Sequence, residues 1–309
     1  MIVTCENCRT RFHLDDRIVD EQTKPVVRVR CSLCRHEFSQ QVVGATLDQN
    51  IPDAMPGIGR RAVIAVCNQK GGVAKTSTCL NLGVSFALMG KKTLLIDFDV
   101  QSNLSASLGL HEQPSLYEVI YDRTHSIETV MQKTRFDNLW ILPGNSRMAL
   151  LTQRHGNTER YQHLLADRLG SIRDSFEILL IDTPPSVEFF TLNALVACDL
   201  AVIPTQCEYF SYQGAEKIRR IIEAINRNGN RNIDYRILMT MYDSSRLTSR
   251  VLVSKIRGRY GRRAFQTVIE MDEKMTESQV VRTPLIYHDK NARAAKQYVT
   301  LAKELLGAE

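Results

Sequence analysis

The nine residues Asn68-Gln69-Lys70-Gly71-Gly72-Val73-Ala74-Lys75-Thr76 restrict what this chain can fold into more than any other stretch. An apolar run, Ala62 to Cys67, leads into them, and an amphipathic run, Ser77 to Met89, leads out. Strand, glycine-containing turn and helix start in that order make a phosphate-binding loop, because backbone N–H groups and the positive end of the helix dipole then converge on one place. In such a loop Lys75 reaches the β- and γ-phosphates and the Thr76 hydroxyl holds Mg²⁺. The ordinary spacing G-x-x-x-x-G-K-[ST] is not met. Gln69 and Ala74 stand at its two glycine positions, and a second lysine, Lys70, precedes Gly71. A plain turn carrying two surface lysines is the competing reading of the loop taken alone.

The rest of the chain favours the phosphate loop. Ala62–Cys67, Thr93–Ile96, Leu139–Leu142, Ile178–Ile181, Leu200–Ile203, Arg236–Met239 and Thr267–Ile269 read as strands, most of them apolar on consecutive residues. Helical patterns separate them at Ser77–Met89, Val187–Ala197, Gln213–Asn226, Ser249–Tyr260 and Asn291–Leu306. This alternation predicts an α/β fold, a mostly parallel sheet sandwiched by helices, with ligands at the carboxyl ends of its strands. Two strand ends carry carboxylates: Thr93–Ile96 runs into Asp97-Phe98-Asp99-Val100-Gln101, and Ile178–Ile181 runs into Asp182-Thr183-Pro184-Pro185. A carboxylate directly after a buried strand is costly unless a metal, water or donor meets it. Aspartates that cap turns explain any one of the three, but not three at two strand ends beside a phosphate loop.

The variant loop Lys70-Gly71-Gly72-Val73-Ala74-Lys75-Thr76 resembles the deviant Walker A loop of the ParA/MinD ATPases, and the preceding Asn68-Gln69 resembles the ParA branch. The resemblance covers residues 61–309 and includes Pro204-Thr205-Gln206-Cys207-Glu208-Tyr209-Phe210, which is similar to a family segment at the nucleotide-dependent dimer face, and Thr240-Met241-Tyr242-Asp243. It implies a P-loop NTPase that hydrolyses ATP with Mg²⁺. Residues 70–77, including Val73 and Ser77, would cradle the nucleotide, and Lys70 would cross to the nucleotide of a partner subunit. Asp182 would be the Walker B aspartate, touching Mg²⁺ through water. Asp99 would orient or activate the attacking water, and Asp97 would support the metal and its loop. Lys70 and Lys75 would neutralise developing charge. Glu270, Met271 and Asp272 stand where the family usually has a Pro-Arg-Asn beside the adenine, and Asp272 could accept a hydrogen bond from the adenine amino group. Ala74 replaces a family glycine, so weaker nucleotide binding is expected from the added methyl group.

The first 60 residues are of another kind. Cys5-x-x-Cys8 and Cys31-x-x-Cys34 are separated by 22 residues and offer two knuckles of thiolates, enough for a tetrahedral Cys₄ site for Zn²⁺. The segment resembles the short zinc ribbons of bacterial proteins, except that Arg9 and Arg35 stand where ribbons often place glycine. His13 and His36 read as surface or second-shell residues, since four cysteines already close the site. A redox dithiol or an iron site are the alternatives; the thioredoxin-like context of a redox pair is missing. About 40 residues hold too little core to fold unaided, so metal binding supplies the missing stability. Seven basic and six acidic side chains leave residues 1–40 at +1, and Zn²⁺ with four thiolates brings this to −1, which suits protein docking better than nucleic acid. Gln41 to Gly59, rich in Gly, Pro, Asp and Asn, reads as a linker. The expected organisation is a zinc ribbon at 1–40 free to move on a linker at 41–60, then an ATPase domain at 61–309.

Basic residues cluster without acidic neighbours between Arg246 and Ile269: Arg246, Arg250, Lys255, Arg257, Arg259, Arg262 and Arg263. The resemblance implies sequence-independent DNA binding through such residues in an ATP-bound homodimer, against the plainer reading of a solvated helix face. Cys67, Cys79, Cys198 and Cys207 form no pair and read as core residues. No apolar run approaches the roughly 20 residues of a membrane span, and the amino terminus lacks signal-peptide character. A cytoplasmic bacterial protein is expected, nucleoid-associated if DNA binding holds. Its expected work is to partition or position DNA or a large protein cargo, with hydrolysis stimulated by a partner or cargo adaptor. The alternative is a nucleotide-gated scaffold whose ribbon recruits a partner and whose hydrolysis is negligible.

Overall fold

Strand β5 (Ala62–Val66) is buried at every position, as a strand covered on both faces must be. Its side chains alternate between two separate cores: Val63 and Ala65 join one, Ala62, Ile64 and Val66 the other. β9 (Ile178–Asp182) divides in the same way, with Leu179 and Ile181 on one face and Ile178 and Leu180 on the other. In this computed structural model, which describes residues 2–13, 26–41, 56–110, 114–121, 125–155, 159–186, 188–207, 211–229 and 232–307, both strands lie inside one eight-stranded sheet.

The remaining strands of that sheet are β6 (Thr93–Asp97), β7 (Gln132–Lys133), β8 (Leu139–Leu142), β10 (Leu200–Gln206), β11 (Asp234–Tyr242) and β12 (Ala264–Glu270). Their order is β12-β11-β10-β5-β9-β6-β8-β7, parallel throughout except for the β7–β8 pair. All seven expected strands form. β7 was not expected, and at two residues on a sheet edge it carries no periodic signal. The helices that matter below are α1 (Lys75–Leu88), α2 (Asn103–Ser107), α3 (Phe189–Ala197), α4 (Ser211–Gly229), α5 (Leu247–Tyr260), α6 (Glu273–Val280) and α7 (Arg293–Leu306). Helix α7 lays Ala294, Ala295, Tyr298, Leu301, Ala302 and Leu305 into the core, and the Tyr298 hydroxyl meets the Thr78 hydroxyl of α1 at 3.2 Å. That amphipathic face is spent on the domain itself. Among the described residues no helix is long and apolar enough to cross a membrane.

The amino-terminal segment forms two antiparallel pairs, β1 (Ile2–Thr4) with β2 (Arg11–His13) and β3 (Val26–Arg30) with β4 (Glu37–Gln41). Gln41 therefore belongs to a strand and not to the linker. Residues 42–55 of the expected linker lie outside the described residues. Its last part is fastened: the Ile58 N–H donates to the Leu305 carbonyl at 2.7 Å, and buried Arg236 donates to the Pro56 carbonyl. Gly57 lies so close to the carboxyl end that a Cβ would come within 2.6 Å of the Leu306 carbonyl oxygen.

A hydrophobic contact joins the ribbon to the ATPase domain. Val3, Cys5, Val29, Cys31 and Phe38 share one cluster with Leu247, and Val251 packs against it. Both latter residues belong to α5. The ribbon has few apolar residues of its own, and the ATPase domain lends it two.

Candidate functional site

Three neighbouring strands end together. In the sheet register Val66 of β5 lies opposite Asp182 of β9, and Asp182 lies opposite Asp97 of β6. The loop of residues 68–74 leaves β5 at this point and enters α1 at Lys75. On the other side of β5, β10 delivers Pro204 and Gln206 to the same end of the sheet.

Strand ends hold the loop in place. Buried Asn68 donates from Nδ2 to the Pro204 carbonyl (2.7 Å), and its Oδ1 accepts the Lys70 N–H (3.1 Å). A Cβ on Gly214 of α4 would collide with that same Oδ1, so α4 can approach only because residue 214 is glycine. The Thr240 hydroxyl of β11 donates to the Val73 carbonyl at 3.2 Å. Gly72 has φ +73°, and Ala74, the residue before α1, has φ 66° and ψ 34°. Both are left-handed, which explains why glycine is usual at position 74: an L-residue there carries backbone strain. A Cβ built on Gly71 or on Gly72 would meet no atom within 4 Å, so there is open space beside both glycines. That room, with helix-start N–H groups behind it, fits an oligophosphate.

Both loop lysines are held within the chain. Lys75 is 7% exposed, its Nζ donates to the Lys70 carbonyl at 3.1 Å, and burial pushes its pKa down against the attraction of Asp182 and Asp99. Lys70 Nζ donates to Gln206 Oε1 at 3.3 Å. Gln206 and Asn68 were not foreseen as site residues; their only sequence signal is membership of the two segments that carried the resemblance.

The three aspartates play different parts. Asp182 is fully buried and neither carboxylate oxygen has a hydrogen-bond partner. Burial first, then the charges of Asp97 and Asp99, raise its pKa well above the carboxylate range, with the Thr76 hydroxyl and Lys75 only partly opposing. A buried carboxylate with vacant lone pairs, beside two more carboxylates and a threonine hydroxyl, suits a hydrated Mg²⁺. Asp97 holds its own loop. Its Oδ2 accepts from the Ser105 N–H (2.8 Å) and hydroxyl (2.6 Å), and its Oδ1 from the Asp99 N–H (3.4 Å). The Ser105 donors fasten β6 to α2. Burial still raises its pKa to about 6. Asp99 is 5% exposed and accepts the Gln101 N–H at 2.9 Å.

Asp272 is tied to two helix starts. Its two oxygens accept the Lys274 N–H at the start of α6 and the Ala294 N–H at the start of α7, each at 3.0 Å. It caps two helices. Beside Thr76 and Ser77, between α1, α2 and α6, opens a cavity of about 350 Å³.

In the ribbon, the sulfurs of Cys5, Cys8, Cys31 and Cys34 lie within 4.8 Å of one another. Cys5 and Cys34 are 3.5 Å apart and Cys8 and Cys31 3.6 Å. A tetrahedron with Zn–S bonds of about 2.3 Å has S–S edges of about 3.8 Å, so the set fits Zn²⁺ without rearrangement. The knuckles repeat each other. Arg9 N–H donates to the Cys5 carbonyl and Arg35 N–H to the Cys31 carbonyl, and both arginines have φ 58°, the left-handed position where ribbons favour glycine. His36 is exposed, stacked on Phe38 and outside the cysteine cluster; the His13 side chain lies outside the described residues.

Residues 61–235 match the AAA-domain family and residues 1–39 the zinc-ribbon domain. The chromosome-partitioning ATPase Soj of Treponema pallidum is 32% identical over 243 residues, covering 78% of this chain and 96% of Soj. The chain belongs to the ParA family of ATPases. The chromosome partitioning protein ParA of Caulobacter vibrioides is 31% identical over 253 residues, covering 80% of this chain and 94% of that protein. The structure of the McdA–ATP complex of Cyanothece shares the fold at a TM-score of 0.73 and 18% identity, over 82% of this chain and 98% of that one. The two family models thus match separate parts of the chain, the ribbon before the ATPase domain.

The basic run is thinner in space than in sequence. Arg246 pairs with Asp243 (2.9 Å), Arg259 with Glu216 (3.2 Å) and Arg263 with Asp234 (3.5 Å). Arg257 donates to the Gln266 carbonyl at 2.8 Å and Arg250 to the Ser244 carbonyl at 3.4 Å. Glu216 and Asp234 come from other elements, and with Asp243 they pair three of the seven basic residues of the run. Glu216 is the hub of this network: donors from Arg259, Tyr260 and Arg219 outweigh its burial and hold its carboxyl down to about 2. Lys255 and Arg262 are exposed.

Proposed function

We propose that this chain is an ATP- and Mg²⁺-dependent ATPase that partitions or positions DNA or a large protein cargo, working as an ATP-bound homodimer that holds DNA without sequence preference. The observation that carries the reading is Asp182, a buried carboxylate without a partner, beside an open phosphate loop whose two lysines rest on their own chain. The names of the relatives, a partitioning ATPase and a partitioning protein, support the cargo class.

Residues of the loop do the binding. Gly71 and Gly72 leave room for the phosphates, and the N–H groups at the start of α1 face them. Lys75 is desolvated, so its charge acts on a phosphate oxygen at full strength once it leaves the Lys70 carbonyl. Mg²⁺, held through Thr76 and Asp182, would supply charge neutralisation on the phosphates. Asp99 would orient the attacking water, and Asp97 keeps that segment in register through Ser105. Lys70 exchanges Gln206 for the partner's nucleotide. Catalysis of this kind is positioning and charge stabilisation, which phosphoryl transfer needs above all, and stimulation by a partner or cargo adaptor fits a site assembled from two subunits. DNA contact falls to Lys255 and Arg262, with the paired arginines of α5 around them.

ATP turnover and salt-dependent DNA retention, each with and without ATP, test the reading. Lys255→Glu with Arg262→Glu should abolish ATP-dependent DNA retention and leave ATP binding intact. Retention that persists in the double variant would remove this surface from the account, and absence of ATP turnover in the presence of DNA and partner would leave the scaffold reading in its place.

A further inference from the structure

Leu247 opens α5 on the side of the helix that faces away from the sheet. The core-facing side is set by Ser249, Val253, Ile256 and Tyr260, all buried. At about 100° per residue, Leu247 and Val251 fall on the opposite side, where solvent is expected. Yet Leu247 is only 7% exposed, because Val3, Cys5, Val29, Cys31 and Phe38 of the ribbon close over it. Arg250 stands at the edge between the two sides and is half-buried, while Arg246 and Lys255 nearby are exposed. Along β3 side chains alternate, so Val29 faces the helix while exposed Arg28 and Arg30 point away from it. The ribbon thus lays an apolar side, not a basic one, on the first two turns of α5.

We propose that the zinc-loaded ribbon is a docked cover on the outer face of α5 and competes with a nucleic-acid phosphate backbone for that face. The proposal rests on the DNA-binding reading above. Docking depends on the metal because Cys5 and Cys31 are at once zinc ligands and part of the surface that closes over Leu247. A ribbon without metal loses the fold that presents Val3, Val29 and Phe38 together. Undocking uncovers Leu247 and Val251 and clears the ribbon's bulk from beside Arg250 and the already exposed Lys255, and the phosphates of a duplex can then run along that face. A ribbon docked about nine-tenths of the time weakens DNA binding about tenfold, since only the undocked fraction is competent.

The test uses the full chain, zinc-loaded, with Leu247→Ser and, separately, Val251→Ser. Neither side chain packs in the sheet cores, so thermal stabilisation by ATP should be retained and shows that the ATPase domain is folded. Hydrogen exchange across residues 247–254 should rise in both variants and in wild type after chelation of zinc. DNA binding with ATP at fixed salt should tighten up to about tenfold in the same three samples. Unchanged exchange in all three overturns the docking. Raised exchange with unchanged or weaker DNA binding overturns the competition while leaving the DNA-binding reading in place. Failure of every sample, wild type included, to hold DNA overturns both.

Discussion

Replacing Asp182 with asparagine should stabilise the nucleotide-free protein while destroying its response to magnesium. The carboxylate is at 0% exposure with both oxygens unpartnered, and burial raises its pKa well above the ordinary value. Leaving a buried polar group unsatisfied costs about 1–3 kcal/mol, more when it is charged. Asparagine removes the charge and offers N–H donors to Asp97 and Asp99, so a gain of about 2 kcal/mol is expected, or about 4–8 °C in Tm for a domain near 250 residues. The pH dependence carries a sign. A carboxyl whose folded-state pKa is raised binds its proton more tightly folded than unfolded, so its contribution is most favourable below about pH 4 and is lost as pH rises toward the folded value. The Asp182→Asn advantage should therefore be small near pH 4 and grow on going to pH 8. Groups whose pKa is lowered, such as Glu216 and Asp243, shift the acid limb of both proteins alike and cancel in the difference. Differential scanning calorimetry of both proteins across that range, with and without ATP and Mg²⁺, gives the answer. The wild type should gain stability from Mg²⁺ beyond that from ATP alone, and the variant should not. A variant less stable than wild type at pH 8, or a difference that is flat with pH, would refute the account of Asp182 as an unpaired charge awaiting a cation.

Three further perturbations follow from the same geometry. Ala74→Gly relieves a left-handed alanine, worth about 1 kcal/mol before the entropy of the added glycine offsets part of it; Tm should rise by about 2 °C, and an unchanged or lower Tm would sink the strain explanation. Because φ at 74 is already left-handed without nucleotide, that strain cancels in binding, and any tighter Kd for ATP in the variant reports contact between the methyl group and the phosphates. Gln206→Leu removes the acceptor that holds Lys70 on its own chain, so the ATP-bound dimer should form at about twofold to tenfold lower protein concentration in analytical ultracentrifugation, with ATP affinity unchanged; an unchanged dimer equilibrium would exclude Gln206 as the resting place of Lys70. Cys31→Ser removes a buried ligand from the four-sulfur cluster, and elemental analysis should find zinc in the wild type and essentially none in the variant, while stabilisation by ATP persists.

What could be read from the sequence was whatever adjacent residues determine together. Consecutive apolar residues ending in Asp97 and Asp182 located two strand ends, and the two cysteine knuckles located a metal site, because each pattern is complete within a few residues. The left-handed backbone at Arg9, Arg35 and Ala74 was legible in the same local way, as three places where glycine is usual and absent. What was not legible is pairing across the fold. Asn68 with Pro204 and Lys70 with Gln206 are each 136 residues apart, and no local pattern announces either bond. The donors that Ser105 gives Asp97 come from a five-residue helix too short to show periodicity, so that bond too was not legible. The arginines after position 246 looked like an open basic face because the charges that answer them, Glu216 and Asp234, sit on other elements. Leu247 makes the same point in apolar terms. It lies before the helix expected at Ser249–Tyr260, yet it packs in the core of a module whose nearest cysteine is more than two hundred residues away in the chain. A ribbon with so few apolar residues of its own needs such a loan to be ordered, and the residue that lends it sits on the helix whose outer face the ribbon covers. The ribbon and α5 meet through Leu247 and Val251, two side chains of one helix.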